Sequence, residues 1–181
     1  MLSRVLSSAV FGVEAFIVEV EVDIRRGLPN FTTVGLPEAA VKESKDRVKS
    51  AISNSGYRFP DDRITINLAP ADIKKEGTGF DLPIALGILA AMGVVPQGLL
   101  EEYLILGELS LDGRIKPVRG SLPVALLAKE RGFRGMILPK ENAREAAVVD
   151  GVEVVAVPRL SQSVEFLCGL IAIRPERVDI Q

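Results

Sequence analysis

Strand-like and helix-like segments alternate along this chain, and the pattern predicts an α/β protein: an α+β mixed sheet with βαβ units. Three observations carry that expectation. Val18, Val20, Val22 and Ile24 alternate with Glu19, Glu21, Asp23 and Arg25, a period of two that sets the apolar residues on a core face and the charges in water. The run Leu82 to Met92 is apolar nearly all round, which marks an interior helix. From Tyr103 onward, short β-rich runs and helical runs follow one another, the order expected of βαβ units. The chain has 181 residues, 48% of them hydrophobic, enough to build one full core.

The elements follow in order. Ser3 to Phe11 reads as a strand, turned at Gly12-Val13-Glu14 into the alternating strand Phe16 to Arg25. Gly27-Leu28-Pro29-Asn30 is a turn and Phe31 to Val34 a short strand. Pro37 to Asn54 reads as one helix with Pro37 in its first turn; Val41, Val48 and Ile52 form its stripe, and Lys42, Lys45, Asp46 and Lys49 cover another face. Arg63 to Ala69 is a strand, with Ile64, Ile66 and Leu68 facing one way and Arg63, Thr65 and Asn67 the other. A polar loop leads to Asp81, placed to cap the helix Leu82 to Met92. Next come a strand Tyr103 to Leu109, a turn at Leu111-Asp112-Gly113 and a strand Arg114 to Val118. Helices Ser121 to Arg131, Lys140 to Val148 and Leu160 to Leu170 alternate with strands Gly135 to Leu138 and Val152 to Val157.

Composition removes several kinds of chemistry. The chain has no histidine and one cysteine, so triads that contain histidine and Cys/His zinc sites are absent. Cys168 reads as a small core residue. No G-x-x-x-x-G-K-[ST] occurs, so the usual phosphate cradle is missing. The net charge of −2 is not that of a dedicated nucleic-acid binder, although a local basic patch fits it. No apolar run is long enough to span a bilayer and no signal peptide is read at Met1-Leu2-Ser3-Arg4, so the expected location is the cytoplasm, with no membrane partner.

Two features offer contacts. Gly77-Thr78-Gly79, flanked by Lys74 and Lys75, is either a tight turn into a helix or a backbone cradle for an anion. Lys42, Lys45 and Lys49 form either a solvated helix face or a surface for DNA or a partner, and with Lys74 and Lys75 they are the candidates for contact with DNA. Arg63, Thr65 and Asn67 are candidates for lining a groove. No residues are assigned to catalysis or to metal binding.

Four separated runs add a resemblance. They are Gly35 to Ser44, Arg63 to Asp72, Lys75 to Gly87 and Gly107 to Gly113, and together they resemble the Mg-chelatase-like family of ComM and YifB over residues 1–172. That resemblance implies an N-terminal domain with a Lon proteolytic-domain-like, ribosomal-protein-type domain-2-like fold. It further implies that residues 173–181 are a linker toward an AAA+ ATPase domain absent from this chain. ATP and Mg²⁺ would belong to that domain, not to this one, and the parent would be hexameric and serve DNA branch migration in natural transformation. The Lon comparison sets the nucleophile position at Gly79, or one residue away at Thr78, and the lysine position at Leu122. Lys116 and Lys129 are the nearest alternatives to that lysine.

Three readings follow: a non-catalytic accessory domain contacting DNA, subunits or a partner; a Lon-like peptidase; and a regulatory module binding an anion at the glycine loop. The first implies that the isolated chain neither binds Mg-ATP tightly nor hydrolyses it, because no residues supply the lysine and hydroxyl that meet phosphate and metal. Calorimetric titration checks this, and micromolar binding at a defined site would contradict it.

Overall fold

The computed structural model describes residues 1–178 of the chain. Strands β1 (Leu2–Phe11) and β2 (Glu14–Arg25) form a hairpin joined by Gly12-Val13, in register from Leu2↔Asp23 to Phe11↔Glu14. Strand β3 (Asn30–Val34) runs parallel to β4 (Arg63–Ala69), and β4 pairs antiparallel with β2, giving the order β1-β2-β4-β3. Val18, Val20 and Val22 of β2 and Ile64, Ile66 and Leu68 of β4 all point into the core, as their period of two requires.

The helix expected from Pro37 to Asn54 is two helices, α1 (Ala39–Lys42) and α2 (Ser44–Asn54). Pro37 is drawn into a parallel bridge with Lys75, and the Glu38 N–H donates to the Lys75 carbonyl at 2.8 Å. That pairing keeps Pro37 extended, so Glu38 becomes the N-cap and the helix begins at Ala39. Val41, Val48 and Ile52 are buried, which confirms the stripe.

Helix α3 (Asp81–Ala91) packs on β1 and β2, and every residue in it except Ala90 is buried. Gly87 makes the close approach: a Cβ there would stand 2.6 Å from Val22 Cγ2. The Ser3 hydroxyl donates to the Gly87 carbonyl at 2.5 Å, so the strand and the helix meet almost backbone to backbone. A single turn, α4 (Gln97–Leu100), was not anticipated from the sequence. Its Gln97 amide exchanges hydrogen bonds with the Arg4 backbone at 2.7 and 3.2 Å, which holds the turn against β1.

Beyond α3 the chain forms a second sheet of parallel strands, β5 (Tyr103–Ile105), β8 (Gly135–Pro139) and β9 (Glu153–Val157), in the order β5-β8-β9. β6 (Glu108–Leu109) and β7 (Ile115–Lys116) make a short hairpin. The strand expected from Tyr103 to Leu109 therefore breaks at Gly107. Its N–H leaves the ladder to donate to the Gly79 carbonyl at 3.0 Å, and a Cβ at this position would lie 2.8 Å from Ile115 Cγ2. Helix α5 (Ser121–Glu130) leads into β8, while α6 (Ala143–Ala146) and α7 (Leu160–Leu167) flank β9.

The helix expected from Lys140 to Val148 is a 3-10 turn, Lys140–Asn142, followed by α6. The Asn142 amide causes the break, accepting from the Val118 N–H at 2.9 Å and donating to the Val118 carbonyl at 2.8 Å. Of the segment expected to be a linker, Ile173 packs on the core and the Glu176 N–H donates to the Val154 carbonyl at 2.7 Å. Residues 179–181 lie outside the described residues. Among the described residues, no helix is long and apolar enough to cross a membrane.

Two glycines separate space from backbone conformation. Gly35 has φ +102° and a Cβ there would stand 2.1 Å from the Leu68 carbonyl oxygen, whereas Gly56 has φ +91° and open space. Gly56→Ala should cost about 1–2 kcal/mol, the left-handed penalty alone. Gly35→Ala should cost about 3 kcal/mol or more, read as a lowered urea midpoint at an unchanged slope.

Candidate functional site

The glycine loop Gly77-Thr78-Gly79 forms one wall of a cleft of about 740 Å³, larger than a second cleft of about 180 Å³ beside α2. The tip of the β1–β2 hairpin and the segment from Pro117 to Val124 form the other walls. The loop is anchored at both ends. The Gly79 carbonyl accepts from Gly107, and the Leu82 N–H donates to the Gly107 carbonyl, both at 3.0 Å. The Asp81 N–H turns back to the Thr78 carbonyl at 3.3 Å, and Pro83 has no N–H. The first turn of α3 therefore offers few free donors to an anion, and any anion in the cleft would depend on the loop amides and on Arg119.

The side chains lining the cleft are poor in proton-transfer groups. A Cβ on Gly79 would face Val118 at 3.5 Å and Leu106 at 3.9 Å, so the expected nucleophile position points into apolar surroundings. The Ser8 hydroxyl is committed to the Phe16 carbonyl at 2.8 Å. Thr78 lines the cleft and is half-buried. Leu122 packs against the second core cluster instead of lining the cleft. Lys116 and Lys129 are exposed and line neither cleft. Arg119 does line it, but a guanidinium stays protonated and cannot take a proton from a hydroxyl.

Asp81 is not a helix cap. Phe80 occupies the N-cap position, and the Asp81 side chain turns inward with 1% of its surface exposed. Its Oδ2 accepts from Arg47 Nε at 2.6 Å and from the Leu109 N–H at 3.0 Å, and its Oδ1 accepts from Arg47 Nη2 at 3.0 Å. Arg47 also donates to the Ala40 carbonyl at 2.9 Å. One bidentate pair thus joins α1, α2, α3 and β6. Burial pushes the Asp81 carboxyl up to about 6, against the opposing pull of Arg47 and of the Leu109 N–H. A signal for this pair stood in the sequence: Arg47 is the lone arginine on a helix whose other cations are lysines, and a planar fork suits a buried carboxylate.

The lysine candidates separate. Lys42, Lys45 and Lys49 are exposed, and among the described residues none has a carboxylate within 4.0 Å. Lys74 is exposed and lies 4.0 Å from Glu38, a loose pair. Lys75, expected on the surface beside Lys74, is fully buried. Its Nζ donates to the Gly35 carbonyl at 2.8 Å and to the Pro70 carbonyl, and burial lowers its pKa. An ammonium spent on two carbonyls inside the protein is not available to a phosphate.

Arg63 and Thr65 are exposed on β4 and Asn67 is half-buried, but none of the three lines either cleft. They sit on an open sheet face beside Glu21, Asp23 and Arg25, and the Asn67 amide donates to Glu21 at 2.8 Å. The expected groove is thus a flat face with carboxylates in it. Cys168 is half-buried, its thiol directed to the Val94 carbonyl at 3.3 Å. Among the described residues, no cluster of His, Cys, Asp or Glu could hold a metal ion.

The four runs that carry the resemblance meet in space. Lys75 touches Gly35 and Pro70, Gly79 touches Gly107, and Asp81 touches Leu109. Comparison with known proteins agrees. The family described as subunit ChlI of Mg-chelatase matches residues 20–142. The competence protein ComM of Haemophilus influenzae is 45% identical over 168 residues, covering 93% of this chain and 33% of that protein. The uncharacterized protein YifB of Escherichia coli is 45% identical over 179 residues, 98% of this chain and 35% of that protein. Lon protease 2 of Bacillus subtilis is 31% identical over 121 residues, 66% of this chain and 21% of that protein, in keeping with the mixed α/β, Lon-like fold. The chain spans about a third of the length of the relatives it matches over nearly its whole extent.

The Asp81 pair gives a pH signature. Its carboxyl moves from an ordinary 3.8 to about 6 on folding, so the folded chain holds this proton more tightly than the unfolded one. The resulting stability is complete below about pH 4 and is lost as pH rises through about 6. Melting temperatures taken from about pH 4 to about pH 7 should contain this falling component. Asp81→Asn should remove it and also cost about 3 kcal/mol, by leaving Arg47 with only the looser, exposed Glu43 at 3.7 Å as counter-charge. Parallel profiles for the two proteins would contradict the assignment.

Proposed function

The chain belongs to the Mg-chelatase-like family that includes ComM and YifB, and on that premise we propose that it is a non-catalytic accessory domain of an AAA+ ATPase that processes DNA. The observation that carries this reading is the exposed face of α1 and α2. Lys42, Lys45 and Lys49 recur there at three- and four-residue spacing, and among the described residues none of them forms an ion pair within 4.0 Å, although Asp46 shares their face. Three exposed lysines outside any ion pair, on a chain of net charge −2, form a local patch suited to phosphates. The name of one relative, a competence protein, supports a role in DNA uptake or exchange. The ATPase domain, with its ATP and Mg²⁺, would lie in the same polypeptide, and hexamer formation would be a property of the full-length protein in the cytoplasm.

The cleft favours a second reading, a Lon-like peptidase, because Thr78 lines it. Against that reading, none of the cleft's side chains can serve as a general base for a hydroxyl nucleophile except Glu76, a carboxylate on the exposed end of the loop.

Two measurements separate these readings. Fluorescence anisotropy with labelled DNA should show weak binding, insensitive to sequence, that falls steeply with salt. Reversing Lys42, Lys45 and Lys49 to glutamate should reduce low-salt affinity at least tenfold, with the salt slope falling by about 2. Casein and a fluorogenic peptide should remain intact in the same preparation. Cleavage abolished by Thr78→Ala would establish the peptidase reading instead.

A further inference from the structure

The smaller cleft, about 180 Å³, lies between α2 and the turn that enters β3. Phe31 and Phe59 line it as a stacked pair, with ring centroids 6.4 Å apart and planes 15° from parallel. Both rings rest on the main core yet stay only partly buried. Lys45 and Lys49 line the same cleft, and Lys49 Nζ stands 5.9 Å from the centroid of Phe59. Asp61 and Asp62 line it as well. Both lysines belong to the exposed face that carries the proposed DNA contact.

We infer that this notch is a docking site for one unstacked base of single-stranded nucleic acid, with the adjacent phosphates on Lys45 and Lys49. The inference rests on the DNA-contact reading and names which form of the polymer the face takes. An aromatic platform beside lysines is the combination that binds single strands, because every base has a π-face while the lysines follow the backbone. A duplex keeps its bases stacked inward and has nothing to place on Phe31 and Phe59. At about 180 Å³ the notch is far too small to take a duplex. Asp61 and Asp62 fit the same geometry: carboxylates repel phosphates toward the lysine side and accept hydrogen bonds from base-edge N–H groups, the thymine N3–H among them.

The chain contains no tryptophan, so Phe59→Trp introduces a single reporter in the notch. Adding oligo-dT at low salt should quench its emission, whereas a hairpin duplex of equal phosphate content should not. In the otherwise unaltered chain, Phe31→Leu with Phe59→Leu should weaken oligo-dT binding about tenfold by anisotropy and leave duplex binding within twofold. Lys45→Gln and Lys49→Gln, single changes at exposed side chains, should each weaken oligo-dT more than Lys42→Gln does. Melting curves identify any variant that fails to fold, and the glutamine variants then carry the test. Oligo-dT binding without quenching, and without loss in either set of variants, overturns the notch while the DNA-contact reading stands. Equal response to duplex and single strand overturns it in the same way. No DNA binding by the unaltered chain at low salt overturns both.

Discussion

The Asp81 carboxylate is removed from water where α2, α3 and β6 meet, and its three hydrogen bonds set how those elements sit. A buried charge is tolerated only when its oxygens are occupied, and Arg47 and the Leu109 N–H supply those bonds at the start of α3. Arg47 in turn reaches the Ala40 carbonyl and so fixes the first helix of the lysine face. The same constraint sets the cleft wall, because Asp81 directly follows Gly77-Thr78-Gly79-Phe80.

Lys75 does the corresponding work on the other side of the loop. Its ammonium holds the Gly35 and Pro70 carbonyls together, and its backbone pairs with Leu36 and Glu38. Gly35 can approach Leu68 so closely only because it has no side chain. These contacts explain why four runs far apart in the chain carry the family resemblance together: they form one packed unit around the glycine loop. The loop's shape is kept by hydrogen bonds to Gly107, which do not depend on any catalytic side chain.

The features that can meet a partner are distributed differently. The larger cleft is walled mainly by apolar side chains and backbone, with Glu76, Thr78 and Arg119 adding polar side chains, so its recognition would rest on shape, main-chain groups and those few side chains. The face of α1 and α2 offers exposed lysines outside any ion pair and, at one end, partly buried aromatic rings with Asp61 and Asp62 beside them. A Lon-like scaffold thus presents a cleft with little acid-base chemistry and a helix face with features of a binding surface. This accords with a fold serving as a platform for sites that vary independently of it.

Much of the architecture was legible because it follows from periodicity. The alternation in β2 and β4, the all-round apolar α3 and the βαβ order of the second half each report burial directly, and burial dominates folding. The sequence also showed the absence of histidine and of a phosphate loop. It could not show what depends on a partner distant in the chain. Pro37 leaves its helix for a bridge with Lys75, Asn142 breaks one by bonding Val118, and Gly107 ends a strand to meet Gly79. Lys74 and Lys75 look alike in the sequence, yet one is in water and the other is sealed beneath two carbonyls. Asp81 resembles a helix cap until Arg47, 34 residues away, claims it. Local propensity and periodicity are written in the order of residues. Whether a polar group bonds to its neighbour or to a residue across the fold is decided only when packing excludes water and each buried donor and acceptor must find a partner.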